Sequence, residues 1–164
     1  MKRLAVVLLL AAGTAVAQAP ASHAPECTLH HARGTYVVTY QGWVASPPPS
    51  TAAPFFGVLM GVLSVSDAGV ISGNATMNSP FGRSSYEMTE GSLLEINPDC
   101  TGTMTLYSRV IGSTDPPGKE IDRFVYLRET GEFVVMMDTL EWGYIPMSLG
   151  SWKKMWNWPG LAQW

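Results

Sequence analysis

Charged side chains are scarce in this sequence, and the signatures of several common function classes are missing. Lys and Arg number 10 and Asp and Glu 13 among 164 residues, a net charge of −3. A nucleic-acid partner would need a basic stripe on the protein, so this balance argues against one. We find no nucleophile elbow, phosphate-binding loop, zinc-ligand spacing or dinucleotide fingerprint. The sequence gives no sign of a hydrolase, kinase or redox enzyme, and it predicts no metal and no cofactor.

No apolar run approaches the roughly twenty residues of a membrane-spanning helix. The run Leu4 to Ala12 follows Lys2-Arg3 and precedes small residues, which is the order found in a secretory signal peptide. Two overlapping Ala-x-Ala sites end at Ala17 and Ala19, and Pro20 disfavours the second. We therefore predict a signal peptide over residues 1–17 and a soluble exported protein, extracellular, periplasmic or in the secretory pathway, without stable membrane insertion.

The only two cysteines are Cys27 and Cys100. An oxidising compartment would allow them to form one disulfide, which we predict; two free buried thiols are the alternative. Closing so long a loop is worth roughly 4 kcal/mol in the chain-entropy model. Asn74 begins the single Asn-x-Thr sequon, a glycosylation site only if the chain passes through a eukaryotic secretory pathway.

Helical periodicity is also missing before residue 150, whereas short apolar segments recur between Gly, Pro and Asp turns. This pattern is typical of an all-β sandwich or barrel, and the successive hairpins favour an up-and-down meander. We predict an eight-stranded antiparallel barrel, since closing the sheet removes its edges. The predicted strands are Gly34–Val44, Pro54–Ser66, Val70–Asn78, Arg83–Ile96 with a bend near Gly91, Cys100–Val110, the two strands within Lys119–Leu140, and Glu141–Leu149.

The segment Lys119–Leu140 reads as a hairpin with a two-residue turn at Thr130-Gly131. This turn would place Arg123 directly opposite Asp138, on a face that is otherwise aliphatic. The other face carries Asp122, aromatic residues and more aliphatic residues, so both faces should be covered by protein or ligand. A charge pair among aliphatic side chains costs desolvation energy, which makes Arg123 and Asp138 the first candidates for a functional site.

The domain outline is a signal peptide over 1–17, an irregular lead over 18–33, the barrel over 34–149, and a Trp-rich tail over 150–164. Five of the six tryptophans lie from residue 142 onward. Trp152 and Trp156 are four residues apart, so a short helix would place both on one side. The tail could cover one end or the apolar outer face of the barrel, or serve in self-association or as an interfacial segment.

Several short motifs resemble one known family. These are Gly34-Thr35-Tyr36 after a cysteine, the run from Gly61 to Val70 ending in Ser72-Gly73, and Asp99-Cys100-Thr101-Gly102-Thr103. They resemble exported proteins of the allene-oxide-cyclase barrel-like group, related in shape to dirigent and lipocalin-like (calycin) barrels. The resemblance covers roughly Cys27 to Leu140 and implies an antiparallel barrel with an apolar lumen. Enzymes among such barrels steer cyclisations of reactive apolar intermediates, but no catalytic motif carries over.

We therefore expect a cyclase or isomerase, for example of hetero-Diels–Alder type, that acts on an apolar natural-product intermediate in its lumen by orienting it. A non-catalytic carrier of a small hydrophobic ligand and a purely structural barrel are the alternatives. A homo-oligomer formed through the outer face or the tail is also expected. The catalytic candidates are Arg123, Asp138, Arg109 and Tyr107, and the candidate substrate-binding residues are Trp43, Tyr86, Phe124, Tyr126 and Met136.

Overall fold

The computed structural model describes residues 26–46, 51–140 and 145–155. In these ranges the chain is almost entirely β-structure, as alternating apolar residues between Gly and Pro turns predict. One helical turn, α1, spans Leu29–Ala32. The strands are β1 (Gly34–Ala45), β2 (Phe55–Val65), β3 (Ile71–Ser79), β4 (Gly82–Met88), β5 (Leu93–Ile96), β6 (Thr101–Val110), β7 (Gly118–Leu127), β8 (Glu132–Leu140) and β9 (Ile145–Lys154).

The strands form one antiparallel sheet that closes on itself. Their order is β4-β3-β2-β1-β9-β8-β7-β6-β5, and β4 also pairs with β6. The short β5 pairs with the first half of β6 and β4 with its last residues, so β4 and β5 together occupy one place in the barrel. The bend between them includes Gly91 at φ +92°, a left-handed conformation that favours glycine. The predicted eight-stranded up-and-down barrel is confirmed, with β5 as an extra strand.

One end of the barrel is closed by α1. The Cys27–Cys100 disulfide ties the start of this segment to the β5–β6 turn, which confirms the predicted pairing. The Tyr36 hydroxyl donates to the Ala32 carbonyl, and the Tyr126 hydroxyl donates to the His31 carbonyl at 2.7 Å. The lead segment, expected to be irregular, is therefore a helical plug from Leu29 onward.

Beneath the plug, an aromatic cluster fills the closed half of the lumen. The Phe133 ring is its centre, with ring centroids of Tyr36 at 5.1 Å, Phe124 at 5.0 Å, Tyr126 at 4.7 Å and Trp152 at 5.9 Å. All five side chains are buried. Offset and edge-on contacts of this kind stabilise by about 0.5–1.5 kcal/mol per pair beyond simple burial. This half of the barrel is a packed core, which leaves only the opposite half for a ligand.

The register predicted for the β7–β8 hairpin is wrong by two residues. Leu127 pairs with Glu132, so the loop has four residues, and Arg123 lies opposite Met136 rather than Asp138. Gly131, at φ +65°, closes the loop by donating its N–H to the Leu127 carbonyl. Between Leu127 and Asp122 this shift preserves which side chains share a face, because side chains alternate with a period of two. Beyond a β-bulge the shift is one residue, so Leu140 pairs with Glu120 and shares its inward face.

The short helix predicted around Trp152 is also wrong. Trp152 lies in β9, which continues to Lys154 instead of ending at Leu149, and its indole is fully buried in the lumen. Burying this large side chain against the Phe133 cluster outweighs the helical spacing of the two tryptophans. Trp156 and the rest of the tail fall outside the described residues. Among those residues, we find no helix that is long and apolar enough to cross a membrane.

Candidate active site in the barrel lumen

The half of the lumen away from α1 is a cavity of about 520 Å³ that opens at the end of the barrel. Its rim is formed by the β3–β4 and β6–β7 loops together with the ends of β1, β2 and β8. Phe81 stands at the mouth with its ring 5.2 Å from that of Phe55. The walls are mostly apolar, with side chains that include Val44, Leu59, Leu63, Ala75, Met77, Met88, Leu106, Met137 and Leu140.

Two carboxyl groups interrupt these apolar walls on β7. Glu120 and Asp122 are two residues apart, so both point into the lumen. Glu120 lines the cavity, whereas Asp122 is fully buried beneath it. No amide or hydroxyl in the described part of the chain donates to Oδ1 of Asp122. The neighbouring Glu120 carboxyl can satisfy this oxygen, but only when Glu120 is protonated.

A chain of hydrogen bonds fixes the other oxygen of Asp122. The Tyr40 hydroxyl on β1 donates to Oδ2 of Asp122 at 2.5 Å. The Trp152 indole N–H donates to the Tyr40 oxygen at 2.9 Å. Because an indole N–H can only donate, it leaves the Tyr40 hydrogen directed at Asp122. Asp122 therefore accepts from Tyr40 at Oδ2, and its Oδ1 is open to a hydrogen bond from a protonated Glu120.

The protonation states follow from burial. Burial raises the pKa of Glu120 well above its ordinary range, and the nearby charge of Asp122 raises it further. Burial also raises the pKa of Asp122, to about 6, although the hydrogen bonds from Tyr40 and Glu120 oppose the rise. Burial raises the pKa of the Tyr40 phenol too, so it remains a donor. These directions favour a single proton on the pair at neutral pH, held by Glu120, with the negative charge on Asp122.

Gly150 on β9 makes room for Tyr40. A Cβ atom at Gly150 would lie 2.7 Å from Cδ1 of the Tyr40 ring and 2.7 Å from the Thr39 carbonyl oxygen. Both separations are shorter than van der Waals contact. With any other residue at position 150, the Tyr40 ring or the neighbouring β1 backbone would have to shift, which would disturb the hydrogen bond from Tyr40 to Asp122.

The leading sequence candidates lie outside the lumen. Arg123 and Asp138 form an ion pair at 2.9 Å on the outer surface, where 65% of the Arg123 side chain is exposed. Asp138 reaches Arg123 because it is the extra residue of a β-bulge in β8. Their predicted position inside the barrel is wrong. Met136 and Trp43, predicted to bind substrate, also point outward and are about half exposed.

Of the other predicted substrate-binding residues, Tyr86 lines the cavity. Phe124 and Tyr126 point inward as expected, but they belong to the aromatic core and not to the cavity wall. Arg109 reaches the rim and pairs with Glu87 at 2.6 Å.

Two further candidates lie on the barrel wall. Tyr107 has the Lys119 ammonium 5.7 Å from its ring centroid. Asn74 is exposed on β3, so a glycan could reach it, and its modification stays a prediction.

Sequence reasoning missed Glu120, Tyr40 and Trp152 as site residues, and it passed over Asp122 in favour of Arg123. The sequence does contain one indication of the carboxyl pair. Glu120 and Asp122 are two acids of the same parity, on the strand face that continues into Phe124 and Tyr126. Acids that share a strand face with buried aromatic residues predict a desolvated carboxyl pair. No local sequence pattern identifies Trp152 as a site residue, because its contact with Tyr40 joins residues 112 positions apart.

The comparisons with known proteins do not name a family. No protein-family model, curated protein or solved structure matches this chain. The fold and the site define the class by themselves: a closed antiparallel β-barrel with one end packed and the other an apolar cavity above a carboxyl pair. This architecture is compatible with the barrel-like fold that the sequence motifs suggested.

Proposed function

We propose that this chain is an exported barrel protein that binds a small apolar carbonyl compound in its lumen and steers its cyclisation or isomerisation. One observation carries the proposal: the carboxyl group of Glu120, whose raised pKa favours the neutral form, faces a mostly apolar cavity next to a buried carboxylate, Asp122. Export is supported by the signal-like sequence over residues 1–17 and by the disulfide, since disulfides persist in oxidising compartments.

The cavity suits a ligand of small-molecule size. Binding sites for such ligands are typically about 300–1,000 Å³ and mostly apolar with a few polar groups. Burial of apolar surface would supply the affinity, at about 25 cal/mol per Å². A flexible chain held in a folded conformation by these walls has already lost the orientational freedom that opposes ring closure. The cavity would therefore contribute to catalysis by positioning.

On binding, Glu120 would turn its single O–H from Oδ1 of Asp122 to the carbonyl oxygen of the ligand and act as a hydrogen-bond donor there. Negative charge that develops on this oxygen strengthens the hydrogen bond in the transition state. Complete transfer of the proton would leave two adjacent carboxylates in apolar surroundings, which the raised pKa of Glu120 opposes. The site therefore favours carbonyl polarisation, as in a hetero-Diels–Alder cyclisation, over full protonation. Substrate and product are isomers, so no atom or electron comes from a second reactant.

The resemblance to allene-oxide-cyclase barrel-like proteins supports the same reaction class, because enzymes of that group steer cyclisations in such lumens. A carrier function is the second candidate. Phe81 is 82% exposed at the mouth. An exposed aromatic side chain there suits the capture and release of a hydrophobic ligand as well as it suits turnover.

Binding and turnover can be measured separately. Calorimetric titration with β-ionone, an apolar enone, should show binding to the wild type. Binding should be lost in Met77→Trp, which fills the cavity, and retained in Val70→Trp, a matched change on the outer surface. Failure of the wild type to bind β-ionone and a panel of linear enones of similar size would overturn both candidates.

Turnover is then followed with linear enones that carry a tethered diene, by chiral chromatography against the uncatalysed background. The wild type should raise the rate and select one stereoisomer, while Glu120→Leu should bind the substrate and lose most of the rate. A loss of kcat larger than the change in KM is expected for a group that acts in the transition state. A wild type that binds every enone and leaves rate and stereochemistry at background would establish the carrier instead.

A further inference from the structure

The outer surface of the barrel carries a continuous apolar area that the lumen site does not explain. It lies on the neighbouring strands β2, β1, β9 and β8, and its main side chains are each about 40–65% exposed. We call this area the outer apolar face and define it by Trp43, Phe56, Met60, Met136, Met147 and Leu149.

The strand register makes these residues neighbours. Trp43 pairs with Phe56 on one side and with Met147 on the other. Leu149 pairs with Met136 across the β8–β9 ladder. The rings of Trp43 and Phe56 lie 5.6 Å apart. The face is therefore one surface across four strands and not a scatter of single residues.

Apart from the exposed Gln41 on β1, the main polar groups on this side of the barrel bond to one another. Arg123 pairs with Asp138 at 2.9 Å, and Lys153 pairs with Glu132 at 3.9 Å. At the centre, the hydroxyl groups of Thr39 and Ser151 lie 3.3 Å apart. The ion pairs balance in charge, so the face offers no net charge to select a charged partner.

The exposed area is close to what a stable dimer needs. Large side chains expose roughly 150–250 Å² when free, so six of them at about half exposure contribute on the order of 600 Å². A standard interface buries about 800 Å² per partner, which the flanking valines Val37, Val62 and Val134 would help to supply. An apolar area of this size lies at the upper end of the largest patches found on monomers, and such patches are often interaction sites.

We propose that the outer apolar face binds the same face of a second copy of this chain, forming a two-fold dimer. A two-fold axis brings each apolar side chain against the equivalent surface, and neither copy needs a charged complement. The face lies on the barrel wall and the cavity opens at the end, so both lumens stay accessible in the dimer. The proposal is independent of what the lumen binds.

The test is the solution mass of the oxidised, exported chain. Light scattering and sedimentation equilibrium at micromolar concentration should give twice the monomer mass. Leu149→Glu on β9 and Met60→Glu on β2 should each weaken association by about 30-fold or more, since each places an unpaired charge in the interface. Val70→Glu changes an equally exposed apolar residue outside the face and should leave the mass unchanged. Circular dichroism checks that each variant is folded.

Several outcomes would overturn the proposal. A monomeric wild type at high micromolar concentration would do so, as would a trimer or open-ended association. Dimers that persist in both folded glutamate variants would place the interface elsewhere. A separate variant tests whether the tail forms the interface. Substitution of Trp156, Trp158 and Trp164 by Ser in the full chain should preserve the dimer. If this variant is monomeric while Leu149→Glu still dimerises, the tail forms the interface instead.

Discussion

The hydroxyl of Tyr40 donates a 2.5 Å hydrogen bond to Oδ2 of Asp122, which joins β1 to β7 across the lumen over 82 positions in the chain. The bond does more than connect two strands. It occupies one oxygen of a buried carboxylate, and in the absence of a ligand the proton of Glu120 can satisfy the other oxygen. The residue that faces the cavity is thereby kept neutral at a pH where an exposed glutamate is ionised.

The carboxyl pair makes the stability of the protein depend on pH. The pKa of Asp122 is about 6 in the fold and 3.8 ordinarily, so the folded state binds more protons than the unfolded state between these values. Its contribution is fully present below the unfolded pKa and is lost as pH rises through 6, by about 3 kcal/mol in total. The raised pKa of Glu120 acts in the same direction at higher pH. We expect the Tm to rise as the pH falls from about 8 to about 5.

Matched variants isolate this effect. Glu120→Gln keeps a donor for Asp122 but cannot titrate, and Asp122→Asn removes the second titrating group. Differential scanning calorimetry should show a flatter dependence of Tm on pH in both variants than in the wild type. Equal slopes in all three proteins would show that the pair does not share a proton as described.

Gly150→Ala tests whether β9 sets the position of Tyr40. The added methyl group would lie 2.7 Å from the Tyr40 ring, so the ring must shift and the hydrogen bond to Asp122 must lengthen or break. We expect a loss of about 1–3 kcal/mol in the free energy of unfolding. Gly57→Ala is the control, since a methyl group there meets its nearest atoms at 3.8 Å. Urea unfolding of both variants measures the difference, and equal costs would contradict this role of Gly150.

The Arg123–Asp138 pair should matter little to either stability or the lumen. With 65% of the Arg123 side chain exposed, water screens the pair, and such pairs contribute about 0–1 kcal/mol. Arg123→Leu should leave the affinity for β-ionone in the cavity unchanged and change the free energy of unfolding by less than about 1 kcal/mol. A tenfold fall in the affinity for β-ionone without loss of stability would show that Arg123 contributes to the lumen site and would contradict this prediction.

The disulfide should contribute more than any ion pair. Cys27 and Cys100 are 73 positions apart, and in the chain-entropy model a loop of this length is worth roughly 4 kcal/mol. The bond also anchors α1 over the aromatic core, so the double variant Cys27→Ala, Cys100→Ala should expose that end. Its Tm should be well below that of the oxidised wild type and unaffected by reductant. A Tm equal to the wild-type value would mean that the plug holds without the bond.

How much of the structure the sequence predicts depends on how far apart in the chain the interacting residues lie. Alternation and turn residues act locally, so they predicted the barrel and the bend near Gly91. The β7–β8 register failed because Gly131 fits the left-handed position of a four-residue loop as well as that of a shorter one. Choosing between these loops depends on the bulge at Asp138 and on pairing along the whole hairpin.

The site was harder to predict than the fold. Which face of β7 points inward depends on how the entire sheet closes, and the sequence shows apolar residues on both faces. The outer face remains apolar in the structure, so burial alone could not separate Arg123 from Asp122. The contacts that define the site, from Trp152 to Tyr40 and from Tyr40 to Asp122, join residues far apart in the chain, so no sequence spacing indicates them.

The central claim is that a neutral Glu120 donates a hydrogen bond to a carbonyl ligand in the lumen, and infrared difference spectroscopy tests it most directly. At neutral pH the wild type should show the stretching band of a protonated carboxylic acid that is missing in Glu120→Gln. Binding of β-ionone should shift the carbonyl band of the ligand to lower frequency in the wild type and not in Glu120→Leu. A wild type without the acid band, or a ligand carbonyl at the same frequency in both proteins, would contradict the account.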